Sequence, residues 1–311
     1  MPSLRRSPAG PCRWAALALA ACLAQGACAG PLPAMDAEEE VLADGSGPAS
    51  PFTLPPGARV ETDLAYGPDP AQRMDVYHPA ATPGGHAPVI LFAHGGAWRI
   101  GDKRHGSVVA HKMAHWLPRG TLFVSVNYRL QPRADPLEQA RDVARALARA
   151  QDLAASWGAD PARFVLMGHS AGAHLVALLA ADPGLGTQQG ARPWLGTVAL
   201  DSAALDVVSI MQARHLRLYD RAFGNQPAFW REVSPLHRLD GARAPLLLVC
   251  SSQRRGSCPQ AHQLAERATA LGGRAQALPV DLSHAEINKT LGQPGRYTEA
   301  VDGFLRSLGV P

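Results

Sequence analysis

The sequence predicts an α/β fold built on a mostly parallel sheet. Two observations carry this. Short apolar runs alternate with longer segments of helical periodicity from residue 58 to residue 311. Two of the runs end in glycine-rich turns, as strands do where they hand over to a loop or helix. Strand alternating with helix implies right-handed crossovers and parallel pairing. The length of 311 residues fits one such domain behind a processed N-terminus.

The elements follow in order. Strands are expected at Val60–Tyr66, Gln72–His78, Val89–Ala93, Leu122–Val126, Arg163–Met167, Gly196–Leu200, Leu246–Cys250 and Ala275–Val280. Helices are expected at Gly106–Leu117, Pro136–Ser156, Ala171–Ala181, Gln260–Leu271 and Pro294–Leu308. The segment Pro136–Ser156 is rich in Ala, Leu and Arg, with apolar residues at helical spacing. Ser156-Trp-Gly158 closes it, and Asp160-Pro161 reads as a turn into the next strand. The stretch Asp206–Asp240 breaks the rhythm and reads as a small cap insertion. Its Met211, Tyr219, Phe223 and Trp230 either line a pocket beside Trp98 or pack the cap itself.

Chemistry concentrates at three places. Phe164–Met167 runs into Gly168-His-Ser-Ala-Gly172 and then a helix. Gly-x-Ser-x-Gly between strand and helix is a nucleophile elbow, which exposes the Ser170 hydroxyl at the end of the sheet. The following helix N-terminus adds its positive dipole end. Val89–Ala93 runs into His94-Gly-Gly-Ala-Trp98, a small-residue turn. Its N–H groups at Gly95 and Gly96, with that of Ala171, are placed to hold a developing oxyanion. His284, on a loop after the last apolar run, is the candidate general base, which comes after the nucleophile in chain order. His94 and His169 lie inside the glycine turns and read as structural.

On the motifs His94-Gly-Gly-Ala-Trp98, Asn127-Tyr-Arg-Leu130, Gly168-His-Ser-Ala-Gly-Ala-His174 and Leu282-Ser-His284, the chain resembles the α/β-hydrolase family, and within it the esterase and arylformamidase branch. The resemblance runs from about Tyr66 to Leu308. It implies an eight-stranded, mostly parallel sheet with helices on both faces, serine-hydrolase chemistry and no cofactor. It also implies Ser170 as nucleophile, His284 as base, and the N–H groups of Gly95, Gly96 and Ala171 as the oxyanion hole. The activity implied is hydrolysis of small carboxylic esters through an acyl-enzyme, with an arylformamidase-like amidase as the alternative.

One part of the family pattern is absent. The acid usually sits on the loop after the seventh strand, yet no Asp or Glu occurs between Pro245 and Ala265, and Arg255 and Gly256 stand in its place. Three readings stay open. Asp201, at the carboxyl end of Thr197–Leu200, supplies the carboxylate. Otherwise the site works as a Ser-His pair with Ser257 or water as orienter, or the chain is a hydrolase-like binding scaffold without turnover. Asp206 reads as a helix cap, and Asp281 as a strand-end surface residue.

The remaining features bound the setting. A net charge of +4, partly contributed by the leader, and no lysine-arginine block argue against a nucleic-acid partner. No Cys/His set has zinc spacing, so no metal is expected. Residues 1–29 read as a signal peptide, with Arg5, Arg6 and Arg13 before a short apolar stretch, Trp14–Ala21. Leu19-Ala-Ala-Cys22 has lipobox form, which makes Cys22 a lipid anchor, whereas Ala27-Cys-Ala29 suits ordinary cleavage before Gly30. Either way the domain is exported, to the periplasmic side of a bacterial membrane or beyond. Residues 30–57, rich in Pro, Gly and acids, read as a disordered linker. In an oxidising compartment Cys250 and Cys258 are expected to pair.

Overall fold

The computed structural model describes residues 52–241 and 243–311. The signal peptide, Cys22 and residues 30–51 of the expected linker lie outside the described residues. Eight strands form one sheet in the order β1 (Arg59–Ala65), β2 (Arg73–His78), β4 (Leu122–Val126), β3 (Ala87–Ala93), β5 (Ala159–His169), β6 (Gly196–Leu200), β7 (Leu246–Ser251), β8 (Ala275–Val280). Pairings β1–β2 and β2–β4 are antiparallel, and those from β4 through to β8 are parallel. All seven residues of β3 are buried, the mark of a strand covered on both faces.

Side chains alternate between two apolar layers. Val89, Leu91 and Ala93 face one layer, and Ile90 and Phe92 the other. The first is covered by α2 (Pro136–Leu153), α3 (Ala171–Ala181) and α8 (Ser257–Ala270), the second by α1 (Gly106–Trp116), α9 (His284–Thr290) and α10 (Arg296–Arg306). Each fully buried Leu, Ile or Phe contributes about 1.5–3 kcal/mol. Helix α2 shows how the sequence sets an element. Asp135 caps it by accepting the Glu138 N–H at 2.9 Å, Pro136 opens it, and Leu137, Ala140, Val143, Ala144 and Leu147 form its buried stripe. Between β6 and β7 lies the cap, made of four short helices: α4 (Val207–Gln212), α5 (Arg217–Phe223), α6 (Pro227–Glu232) and α7 (Pro235–Arg238).

Four expectations need correction. Asp160-Pro161 does not break the chain before β5. It lies inside the strand, where the register shifts between the pairs Ala87–Ala159 and Val89–Phe164, so the pairing absorbs it as an irregularity. The linker does not extend to Gly57: Phe52 and Leu54 pack on the second apolar layer, with Phe52 6.0 Å from the Tyr77 ring. His284 is not on a loop but is the first residue of α9, held by a reciprocal cap between Ser283 and Glu286. Finally, α8 starts at Ser257, before the expected Gln260, because the loop after β7 is short.

Candidate active site

The carboxyl ends of four neighbouring strands build the site, β5 giving Ser170, β6 Asp201, β7 the loop 251–257 and β8 the approach to His284. Ser170 has φ 55° and ψ −117°, a conformation that costs about 1–3 kcal/mol and persists only where its surroundings impose it. They do so here. The Ser170 N–H donates to the Leu200 carbonyl at 2.9 Å, while Gly172 lets α3 approach β3 so closely that a Cβ there would lie 2.1 Å from the Ala93 oxygen. Ala97, Trp98 and Asp201 also have positive φ, so four of the five non-glycine residues of this kind among the described residues surround one cavity.

His284 Nε2 lies 2.9 Å from Ser170 Oγ, and its Nδ1 lies 2.6 Å from Asp201 Oδ2. The carboxylate fixes the tautomer: Nδ1 carries the proton, leaving Nε2 to accept the serine hydroxyl. Asp201 Oδ1 accepts the Ser251 N–H at 2.8 Å and the Ser257 hydroxyl, and Oδ2 accepts Arg254 Nη1 at 2.7 Å. The structure therefore brings Ser170, His284 and Asp201 together. Ser257 bonds the acid, not the imidazole. Arg255 is exposed, Asp206 caps α4, and Asp281 accepts from Gln253 at the surface. Cys250 and Cys258 form a disulfide that closes the loop.

The glycine turn is aimed by its own carbonyls. Tyr128 donates its hydroxyl to the His94 oxygen at 2.7 Å, and His94 Nδ1 donates to the Gly95 oxygen at 2.7 Å. A trans peptide is planar, so tying each carbonyl one way points the next N–H the other way. Among the described residues the N–H groups of Gly95 and Gly96 have no backbone acceptor. A Cβ on Gly95 would stand 3.0 Å from Ser170 Cβ, so this turn touches the serine. The Ala171 N–H heads α3, where no intrahelical acceptor exists.

The cavity over the serine measures about 20 Å³, with Trp98, Ala204, Leu218, Tyr219 and Arg254 in its wall. Of the four cap residues proposed as lining, only Tyr219 reaches it. Phe223 packs behind Trp98 at 5.0 Å, Trp230 Nε1 donates to the Gly224 carbonyl, and Met211 packs on the core. His174, unassigned from sequence, pins three elements: it accepts Trp98 Nε1 at 3.2 Å and donates from Nε2 to the Val233 carbonyl at 2.7 Å. Arg254 was also missed. A loop with two arginines and no carboxylate, facing a candidate buried Asp, was its one signal.

Charge follows from these surroundings. Burial alone would push the Asp201 carboxyl up, but the hydrogen bond with His284, the charge of Arg254 and the Ser257 hydroxyl hold it far below the usual range. Burial lowers His284, with His169 and Arg254 pushing the same way against Asp201, to about 4. Burial also lowers His174 to about 4. Both histidines thus bind a proton less readily folded than unfolded. Their stability contribution is full above the unfolded value near 6.5 and is lost as pH falls from there to about 4, at about 1.4 kcal/mol per pH unit for each. Melting temperatures recorded from pH 7.5 to 4.5 at constant ionic strength should fall through that window, and a flat profile would contradict the neutral buried state.

Residues 74–191 match a sequence-family model described as BD-FAE. Esterase LipQ of Mycobacterium tuberculosis is 30% identical over 262 residues, covering 78% of this chain and 61% of LipQ. A rice protein named probable isoprenylcysteine alpha-carbonyl methylesterase ICMEL1 is 36% identical over 120 residues, 39% of this chain and 27% of that protein. The chain thus spans less than two thirds of the length of the curated relatives it matches first. Among solved structures, esterase B from Lactobacillus rhamnosis superposes with a TM-score of 0.67 at 20% identity, over 88% of this chain and 89% of that one. Thermogutta terrifontis esterase 2 phosphonylated by sarin superposes with a TM-score of 0.67 at 22% identity, over 82% and 96%. At these identities the superpositions speak for the fold.

Proposed function

We propose that this chain is a serine carboxylesterase of the α/β-hydrolase family, acting on small esters. The observation that carries the reading is the continuous relay from Ser170 Oγ to His284 at 2.9 Å and on to Asp201 at 2.6 Å, set against the glycine turn. Ser170 Oγ attacks the ester carbonyl while its proton passes to His284 Nε2. The N–H groups of Gly95, Gly96 and Ala171 receive the oxyanion. Collapse breaks the bond to the alcohol, which leaves with that proton, and water then repeats the sequence on the acyl-enzyme. With Asp201 beside the imidazole, the absent loop carboxylate no longer motivates a scaffold without turnover.

The cavity limits the acyl group. About 20 Å³ is little more than one water requires, so the wall made by Leu218 and Tyr219 favours the smallest acyl groups and must give way to a long chain. Hydrolysis of p-nitrophenyl esters should therefore fall from acetate to octanoate by about 100-fold in kcat/KM. A fluorophosphonate should label Ser170 stoichiometrically, located by peptide mass spectrometry. Absence of label on folded protein would defeat the esterase reading, and octanoate turned over as fast as acetate would defeat the acyl limit.

Export, inferred from residues 1–29, is supported by the disulfide, which suits an oxidising compartment. Detergent-phase partitioning that is lost in Cys22→Ala would select the lipobox over ordinary cleavage, and unchanged partitioning would select the reverse.

A further inference from the structure

We propose that Arg254 is a positioning residue of the reaction, using one guanidinium nitrogen to hold the Asp201 carboxylate and to oppose protonation of His284. This rests on the triad reading given above. Arg254 Nη1 lies 2.7 Å from Asp201 Oδ2, 3.3 Å from the Asp201 carbonyl and 3.0 Å from His284 Nδ1. The Nδ1 proton is committed to Oδ2 at 2.6 Å, so toward the imidazole Arg254 acts as a neighbouring positive charge rather than a bonding partner.

The charge count explains the need. Asp201 and His284 are 0% and 1% exposed, and at rest the imidazole is neutral, so the pair alone would bury one net negative charge. Ser251 and Ser257 offer Asp201 dipoles only, whereas Arg254 offers the matching charge, and an unpaired buried ion is strongly unfavourable. Arg254 also lies on the loop whose ends are joined by Cys250–Cys258, so its approach is fixed from both sides. When the imidazolium forms, Arg254 repels it, and the oxyanion at the glycine turn restores the balance. Hence His284 stays an unprotonated base in more acidic medium than an aspartate-paired histidine otherwise would. His169 at the end of β5, Asp201 after β6 and Arg254 after β7 face His284, while Tyr219 of the cap interacts with Arg254 and Asp201, and Tyr297 of α10 with Asp201.

The test pairs an NMR titration of the His284 imidazole with p-nitrophenyl acetate kinetics on the full-length chain. In Arg254→Gln the titration midpoint should rise by about one pH unit. The exposed neighbour Arg255→Gln controls for net charge and should leave it in place. Arg254→Gln should lower kcat about tenfold or more in the parent, yet cost less than about twofold in an Asp201→Asn background, because Arg254 acts through the carboxylate. Arg254→Lys should keep the midpoint and recover part of the rate. An unmoved midpoint in Arg254→Gln, or an equal loss of rate in both backgrounds, overturns the proposal. If the glutamine variant does not fold, Arg254→Lys decides alone: a titration midpoint within about 0.3 pH unit of the parent is expected for the retained charge, and a midpoint raised by about one unit overturns the proposal. The titration reads Arg254 whether or not ester turnover is found, so failure here and failure of the esterase reading are separate results.

Discussion

Ser170→Ala is expected to lower turnover of p-nitrophenyl acetate by about 10⁶-fold, the loss seen when a hydrolase nucleophile is removed and only binding and the oxyanion donors remain. The substitution deletes one atom, Oγ, and with it the hydrogen bond to His284 Nε2 at 2.9 Å. The backbone keeps its positive φ, because alanine carries the same Cβ that the turn already accommodates. The Leu200 carbonyl still accepts the residue's N–H, and the glycines on either side are unchanged. Stability should therefore stay within about 1 kcal/mol of the parent. A folded variant that kept one hundredth of the activity would place the nucleophile elsewhere.

Asp201→Asn is expected to cost about 10⁴-fold in kcat with little change in KM. The shape of the side chain survives, and Ser251 N–H still finds an oxygen at Oδ1. What changes is the direction of the bond to the imidazole. An amide NH₂ facing His284 Nδ1 donates where the carboxylate accepted, so the proton moves to Nε2, and the nitrogen facing Ser170 then has no lone pair for its hydroxyl. Asn also leaves Arg254 beside an uncharged group, so some loss of stability accompanies the loss of rate. Stopped assays over pH 5–9, with circular dichroism on the same samples, separate the two. Near-parent kcat would remove Asp201 from the relay.

Much of this was legible in the sequence because its causes are local. The β3 run into His94-Gly-Gly and the β5 run into Gly-x-Ser-x-Gly announce strand, turn and nucleophile within about a dozen residues each. Asp201 was one of several candidates, since what distinguishes it from Asp206 is a direction: the first points across β7 toward His284, the second back along its own helix. Arg254 was invisible for a related reason. Its meaning depends on a carboxylate 53 positions earlier and an imidazole 30 positions later. The cap failed differently. Its aromatic residues look equivalent in a string, yet Tyr219 reaches the cavity while Phe223, one helical turn on and stacked against Tyr219, lies behind Trp98. The helix at His284 was missed because its signal is a brief reciprocal cap, Ser283 with Glu286, with only seven residues following.

The order of the strands bears on what a shortened chain could do. Ser170, Asp201, the Arg254 loop and His284 follow one another along the chain as β5, β6, β7 and β8 stand side by side in the sheet. The strained serine turn takes its supports from β3 and β6. The proposed base depends on β8 at the open edge and on α9 packed against α1. Proteolysis after β7 would therefore spare the supports of the serine turn and remove the imidazole proposed to activate it, so damage at this edge of the sheet leaves an inert remnant.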